Sequence, residues 1–340
     1  MRRLGCILLS LCLLLGGCAA RPSAEARQRY TATFLELFDT VTTVIGYAES
    51  KEAFESAAAA VRDGLKRYHE LFDIYNEYGT PNLKTVNDNA GVAPVKVDAA
   101  ILELLSDCLE YHRLTDGRVN VAMGSVLKLW HDARADAERD PAHAAIPREE
   151  ALRAAAEHTD IGALVIDEAA GTVFLTDPQA RLDVGAVAKG WATQKVAQTA
   201  PAGLLISVGG NVCATGAKAD GSPWVVGIQD PDNAERNLCA LTVATGAVVT
   251  SGDYQRTYRV GDVLYHHIID PATLLPARRW RSVSILCDDS GLADALSTGL
   301  FLMDRADGEA LAKRCGADVM WVDAEGNEYR TAGFERRLRK

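Results

Sequence analysis

Residues 250–276 read TSGDYQRTYRVGDVLYHHIIDPATLLP. Two β-rich runs, Tyr254–Val260 and Val263–Ile268, flank the pair Gly261-Asp262, where glycine supplies the positive φ of a tight hairpin turn. The second run carries His266 and His267 and stops at Asp270-Pro271, because proline ends ladder pairing. Side chains alternate along a strand, so only one of the two histidines shares a face with Ile269. A histidine at a strand end beside a Ser-Gly-Asp loop is a candidate proton acceptor. The same residue also reads as a half-buried surface histidine, and the rest of the chain has to decide.

Outward from this hairpin, strands outnumber helices and occur both in hairpins and after helices. That pattern indicates an α+β fold with mixed or antiparallel sheets rather than a doubly wound parallel sheet. Phe34–Tyr47 reads as one opening strand, and Lys51–Phe72 has helical spacing of its apolar residues. Asp98 is placed to cap a second helix. Thr115–Gly124 reads as a turn, a short strand and a glycine. Residues 131–147, charged and alanine-rich with Pro141 and Pro147, read as an exposed insertion before a helix at Arg148–His158. Leu204–Val208, Trp224–Ile228 and Leu238–Ala244 read as successive strands of a sheet.

Two further stretches carry chemistry. In Arg181–Ala197, RLDVGAVAKGWATQKVA, a short strand ends at Asp183, and Gly185 and Gly190 bracket a small-residue turn into a helix. Such a turn exposes N–H groups that favour phosphate, and Lys189 adds a positive charge; tight helix–strand packing is the alternative. In Asp288–Met303, DDSGLADALSTGLFLM, the first three residues are N-cap candidates. Asp294, Ser297 and Thr298 follow at i, i+3 and i+4 on one helix face. A carboxylate with hydroxyls is an oxygen set suited to Mg²⁺ rather than Zn²⁺. A solvated polar stripe is the plain alternative.

The N-terminus indicates the compartment. Arg2 and Arg3 precede the apolar run Leu4–Leu15, and Leu15-Gly16-Gly17-Cys18 follows. A basic start and a run too short for a comfortable transmembrane helix describe an export signal. Leu-Gly-Gly-Cys resembles the bacterial lipobox, which implies lipidation of Cys18. Residues 1–17 are then a signal peptide, 18–30 a lipidated tether and 31–335 the folded domain. The net charge of −10 argues against a nucleic-acid backbone as partner. Cys108, Cys213, Cys239, Cys287 and Cys315 show no metal spacing and read as reduced thiols.

Five short motifs occur in a fixed order: Asp183–Ala192, Gly209–Asn211, Thr250–Tyr254, His267–Thr273 and Ala293–Thr298. Together they resemble the ApbE family of FAD:protein FMN transferases over nearly all of Phe34–Tyr329. Asp116–Val121 and Trp130 match further family positions. The resemblance implies an ApbE-like fold with its catalytic cleft between two interleaved subdomains. It implies transfer of FMN from FAD to a Ser or Thr hydroxyl of an exported redox protein, with AMP released. It also implies that Asp294 and Thr298 ligate Mg²⁺ with Ser297 close by, and that Ala186 contributes its carbonyl. Asp183 and Lys189 would contact FAD, and His267 would deprotonate the acceptor. Phe38, Tyr75, Arg118, Val119, Asn120 and Ile269 would be flavin-side contacts. Three positions depart from the family pattern. Phe38-Asp39 stands for Met-Gly, Asn120 for an aspartate, and Leu274 for a glycine, the last implying a different turn. Two other functions use the same residues: hydrolysis of FAD to FMN and AMP, and lipid-anchored FAD binding without turnover.

Overall fold

The computed structural model describes residues 27–340. The expected signal peptide and the lipidated Cys18 lie outside the described residues. The chain opens with strands β1 (Gln28–Leu37) and β2 (Thr40–Ala48), followed by helices α1 (Lys51–Phe72) and α2 (Leu83–Asp88). Next come β3 (Val95–Lys96), α3 (Ala99–Leu114), α4 (Gly124–Arg139), α5 (Glu149–Ala156), β4 (Leu164–Asp167) and β5 (Thr172–Leu175). The second half runs α6 (Ala188–Thr199), β6 (Leu204–Val208), β7 (Asn211–Ala214), β8 (Trp224–Asp230), β9 (Asn233–Val243) and β10 (Gly246–Gly252). It closes with β11 (Tyr258–Val260), β12 (Val263–Tyr265), β13 (Trp280–Cys287), α7 (Ser290–Phe301), α8 (Arg305–Arg314), β14 (Asp318–Asp323), β15 (Glu328–Arg330) and α9 (Ala332–Arg336).

One sheet organises the molecule, in the order β1-β2-β6-β7-β10-β13-β14-β15. Every neighbouring pair in it is antiparallel. The fold is α+β, as its sequence pattern predicts. Alternation along the central strands divides the core. Ala247, Val249, Val283, Ile285, Val319 and Trp321 pack under α7 and α8. Their neighbours Val248, Met320 and Val322 face the opposite side, against the β8–β9 hairpin and Phe334 of α9. A separate cluster joins α2, α3 and β5 to Trp191 of α6. This places α6 at the seam between the large sheet and a smaller layer built on β3-β5-β4.

Several expectations are corrected. The opening strand is a hairpin, because Phe38 and Asp39 both adopt left-handed backbone (φ 54° and 51°) and turn the chain. β1 begins at Gln28, inside the expected tether, since Gln28 pairs with Ala48 in the ladder. α9 ends at Arg336, and Leu338 bridges Leu241, so the fold passes residue 335. β8 and β9 form their own two-stranded sheet instead of continuing the large one. The partner of β6 is β7, reached through Gly209 and Gly210, both with positive φ. The strand expected after Thr115 reduces to an isolated bridge between Met123 and Arg181. Residues 131–139 continue α4, anchored by buried Trp130 and Ala137, so only the stretch after Arg139 is irregular. The β11–β12 hairpin is shorter than predicted, and both histidines lie just beyond it.

Candidate active site

The site forms where α6 meets α7. Gly190 allows the contact: a Cβ there would lie 2.3 Å from the Ser290 carbonyl oxygen and 2.4 Å from Asp294 Cβ. The Gly190 N–H instead donates to Asp294 Oδ2 at 2.7 Å. Asp289 caps α7 by accepting from the Leu292 N–H. Asp294 is 4 % exposed. Burial pushes its carboxyl up, opposed by the Lys189 charge and the Gly190 N–H. Lys189 Nζ lies 3.8 Å from Asp294 Oδ2 and donates to the Gly185 carbonyl at 3.3 Å.

A cavity of about 1000 Å³ opens beside this pair. Arg118, Val119, Asn120, Asp183, Ala186, Lys189, His267, Ile269, Asp294 and Thr298 all line it, so one space collects residues spread over most of the chain. A second cavity of about 800 Å³ is lined by Phe38 and Tyr75. The expected flavin-side contacts therefore fall in two chambers rather than on one surface. His131, Asp183, Gly185, Lys189 and Arg256 line both and form the throat between them. Tyr75 Oη and His131 Nδ1 form a close hydrogen bond across it.

The two histidines separate cleanly. His266 is buried; its Nδ1 accepts from the Ile268 N–H at 3.2 Å, so Nε2 carries the proton and donates to the Ala277 carbonyl at 2.6 Å. Both nitrogens are committed to the backbone. His267 Nδ1 faces the Gln255 carbonyl at 3.1 Å, which only accepts, so Nδ1 holds the proton and Nε2 keeps a lone pair. Burial, with Arg256 nearby, holds the His267 pKa down at about 3. His267 is thus a neutral imidazole with one free acceptor nitrogen on the cavity.

Three expected roles change. Ser297 does not line the cavity. Its hydroxyl donates to the Asp294 backbone carbonyl at 2.8 Å and sits 2.7 Å from Ser251 Oγ, stitching α7 to β10. The Gly185–Lys189 turn is not an open anion cradle. The Gly185 N–H donates to Asp183 Oδ1, the Val187 and Ala188 N–H groups to the Val184 carbonyl, and the Gly190 N–H to Asp294. With these four donors spent and two carboxylates beside it, the turn favours a cation. Asn120 lines the cavity, but its amide is engaged at both ends, donating to the Thr159 carbonyl and accepting from the Ala122 N–H.

The turn after Asp270-Pro271 does keep the left-handed residue that a glycine would supply. Leu274 has φ 61°, and its carbonyl accepts from Trp130 Nε1 at 3.0 Å. Its side chain packs against the α4 cluster, which offsets the strain. Cys108, Cys213, Cys239, Cys287 and Cys315 are free thiols.

Sequence reasoning missed His131, Arg256 and a role for Asn211. His131 follows Trp130 on the stripe Leu127, Trp130, His131, Arg134, which helical spacing would have shown had α4 been extended. Asn211 is 2 % exposed and lines the cavity, with its side-chain amide beside the Asp294 carboxylate, whose anionic form it favours.

A divalent cation fits here. Asp294, Thr298 and Ala186 offer carboxylate, hydroxyl and carbonyl oxygens around one space. The Lys189 ammonium, 3.8 Å from the buried carboxylate, already sets one positive charge beside it. Among the described residues, no group of three or more His, Cys, Asp or Glu side chains forms a metal site, which disfavours zinc.

The family model described as ApbE family matches residues 38–321. The chain belongs to the ApbE family. A relative from Treponema pallidum (strain Nichols), named FAD:protein FMN transferase, is 32% identical over 99% of this chain and 95% of its own length. A Vibrio cholerae relative of the same name is 29% identical over 76% of this chain and 78% of its own. The crystal structure of the ApbE protein from Thermotoga maritima superposes with a TM-score of 0.81 at 28% identity, covering 92% of this chain and all of that one.

Proposed function

We propose that this member of the ApbE family transfers FMN from FAD to a Ser or Thr hydroxyl of an exported redox protein, with Mg²⁺ as cofactor. One observation carries the reading: a buried carboxylate among oxygen donors and a neutral imidazole with a free nitrogen line the same cavity. The named relatives support the substrate pair.

His267 Nε2 takes the proton of the acceptor hydroxyl. The resulting oxygen attacks the phosphorus of the FMN half, and a new O–P bond forms. The bridging P–O bond breaks, and AMP leaves with its electron pair. Asp294, Thr298 and the Ala186 carbonyl would hold Mg²⁺, which when bound supplies charge neutralisation on the diphosphate. The Lys189 ammonium is placed to hold a phosphate oxygen, and the Asn211 amide steadies the Asp294 carboxylate, so the reaction is mainly one of positioning. Asp183 orders the turn that carries Lys189.

Export and a lipid anchor at Cys18 belong to the same proposal and rest on the sequence of residues 1–18. Lipid attachment is read by mass spectrometry of the membrane-extracted protein.

The test of function is incubation of the purified protein with FAD, Mg²⁺ and a flavin-accepting domain. Covalent flavin on the acceptor, with one AMP per flavin, supports transfer. AMP formed at the same rate without acceptor or covalent flavin would assign hydrolysis instead. Tight FAD binding with no AMP would leave only a carrier.

A further inference from the structure

We propose that Arg256 is the guanidinium clamp on the diphosphate of the dinucleotide, seated in the throat between the two cavities. The inference rests on the functional reading above and adds a residue that contacts substrate.

A dinucleotide has a ring system at each end and its charge in the middle. The two cavities have the complementary form, with a throat shared by His131, Asp183, Gly185, Lys189 and Arg256. A molecule spanning both chambers places its two phosphates there. The throat has few free anion donors, because the Gly185, Val187, Ala188 and Gly190 N–H groups of the turn are bonded within the protein. Lys189 is shared with Asp294 and the Gly185 carbonyl. Arg256, by contrast, has no ion pair and no side-chain hydrogen bond among the described residues, although nearby Arg281 holds both Asp253 and Asp232. It is the throat's uncommitted cation.

The backbone shows that its placement is imposed. Arg256 has φ 47°, a left-handed conformation that is strained for a non-glycine residue. Its neighbour Gln255 presents the carbonyl that receives His267 Nδ1–H. One turn therefore aims the imidazole and sends the guanidinium into the throat, so the base and the anion clamp are set by a single loop geometry. The charge is felt at the base, where, after burial, Arg256 disfavours protonation of His267. A planar fork of donors suits paired phosphate oxygens better than an ammonium does.

The experiment compares wild type, Arg256→Lys and Arg256→Gly, the glycine removing side chain and backbone strain together. Binding of FAD and of riboflavin, which lacks the diphosphate, is followed by flavin fluorescence, and AMP release is measured in Mg²⁺. The expected result for Arg256→Gly is an unchanged or higher Tm and unchanged riboflavin affinity. FAD affinity should fall at least tenfold, turnover at least a hundredfold, and added guanidinium should restore part of the rate. Arg256→Lys should be intermediate. FAD affinity and turnover within twofold of wild type in Arg256→Gly overturn the clamp alone, as does an equal loss of riboflavin and FAD affinity. Wild-type protein that neither binds nor cleaves FAD overturns the functional reading and the clamp together.

Discussion

The Gly190 N–H and Asp294 Oδ2 meet at 2.7 Å across 104 residues of chain, and this bond joins the two helices that define the site. A side chain at 190 would collide with the Ser290 carbonyl and with Asp294 itself. Gly190→Ala should therefore push α7 outward, cost about 1–3 kcal/mol of stability and lower turnover on the order of a hundredfold. Calorimetry and initial rates on the same preparation check both.

Asp294 and Ser297 should part company in their metal dependence. Asp294→Asn should lose Mg²⁺-stimulated turnover, whereas Ser297→Ala should cost about 1 kcal/mol of stability with turnover within a few-fold of wild type. A chelator should silence the wild-type enzyme, and Mg²⁺ should restore it better than Zn²⁺. Loss of the Mg²⁺ response in Ser297→Ala would return that hydroxyl to the ligand set.

The pH profile should reflect the depressed His267. A base with a pKa of about 3 is fully unprotonated above pH 5, so kcat/KM should show no acid limb near the ordinary histidine value of 6.5. His267→Ala should slow transfer by about 10²–10⁴-fold across this plateau. An acid limb at pH 6–7 that disappears in His267→Ala would contradict the buried, neutral imidazole.

His266 should govern acid stability. Burial holds its pKa down at about 4, against 6.5 in the unfolded chain. Between those values the unfolded chain binds a proton that the folded one does not. Stability is therefore complete above pH 6.5 and falls as pH drops to about 4. The full loss is about 3 kcal/mol. His267 acts with the same sign. Urea melts at pH 7 and pH 4.5 should show the loss in wild type and a smaller one in His266→Gln.

Asp39 occupies left-handed backbone in the β1–β2 turn, where the family pattern carries glycine. Asp39→Gly should stabilise the protein by about 1 kcal/mol, read as a higher midpoint in urea with an unchanged slope.

The main elements were legible because long amphipathic periods and caps are local signals. Phe54, Val61 and Leu65 mark α1, and Asp98 and Asp289 cap α3 and α7 as expected. His267 and Asp294 stood out through ordered motifs, and the structure brings both to one cavity. What failed was not encoded locally. Phe38-Asp39 carries no turn residue pair, so the first hairpin read as a single strand. Ser297 and Thr298 diverge from Asp294 by about 60° and about 40° in opposite senses around α7. Which of them faces ligand depends on where β10 lies, and periodicity cannot supply that. The turn at Gly185 looked like a phosphate cradle because sequence does not show that Asp183 folds back onto its N–H.

The Gly190–Asp294 bond also dates the birth of the site. A polypeptide emerging N-terminus first has laid down Asp183, Lys189 and His267 before α7 exists, and contacts so distant in sequence form slowly. Until α7 docks, no truncated product or nascent intermediate has the Asp294 carboxylate, the proposed cation ligand, in place. Catalytic competence therefore waits for a segment close to the C-terminal end of the fold.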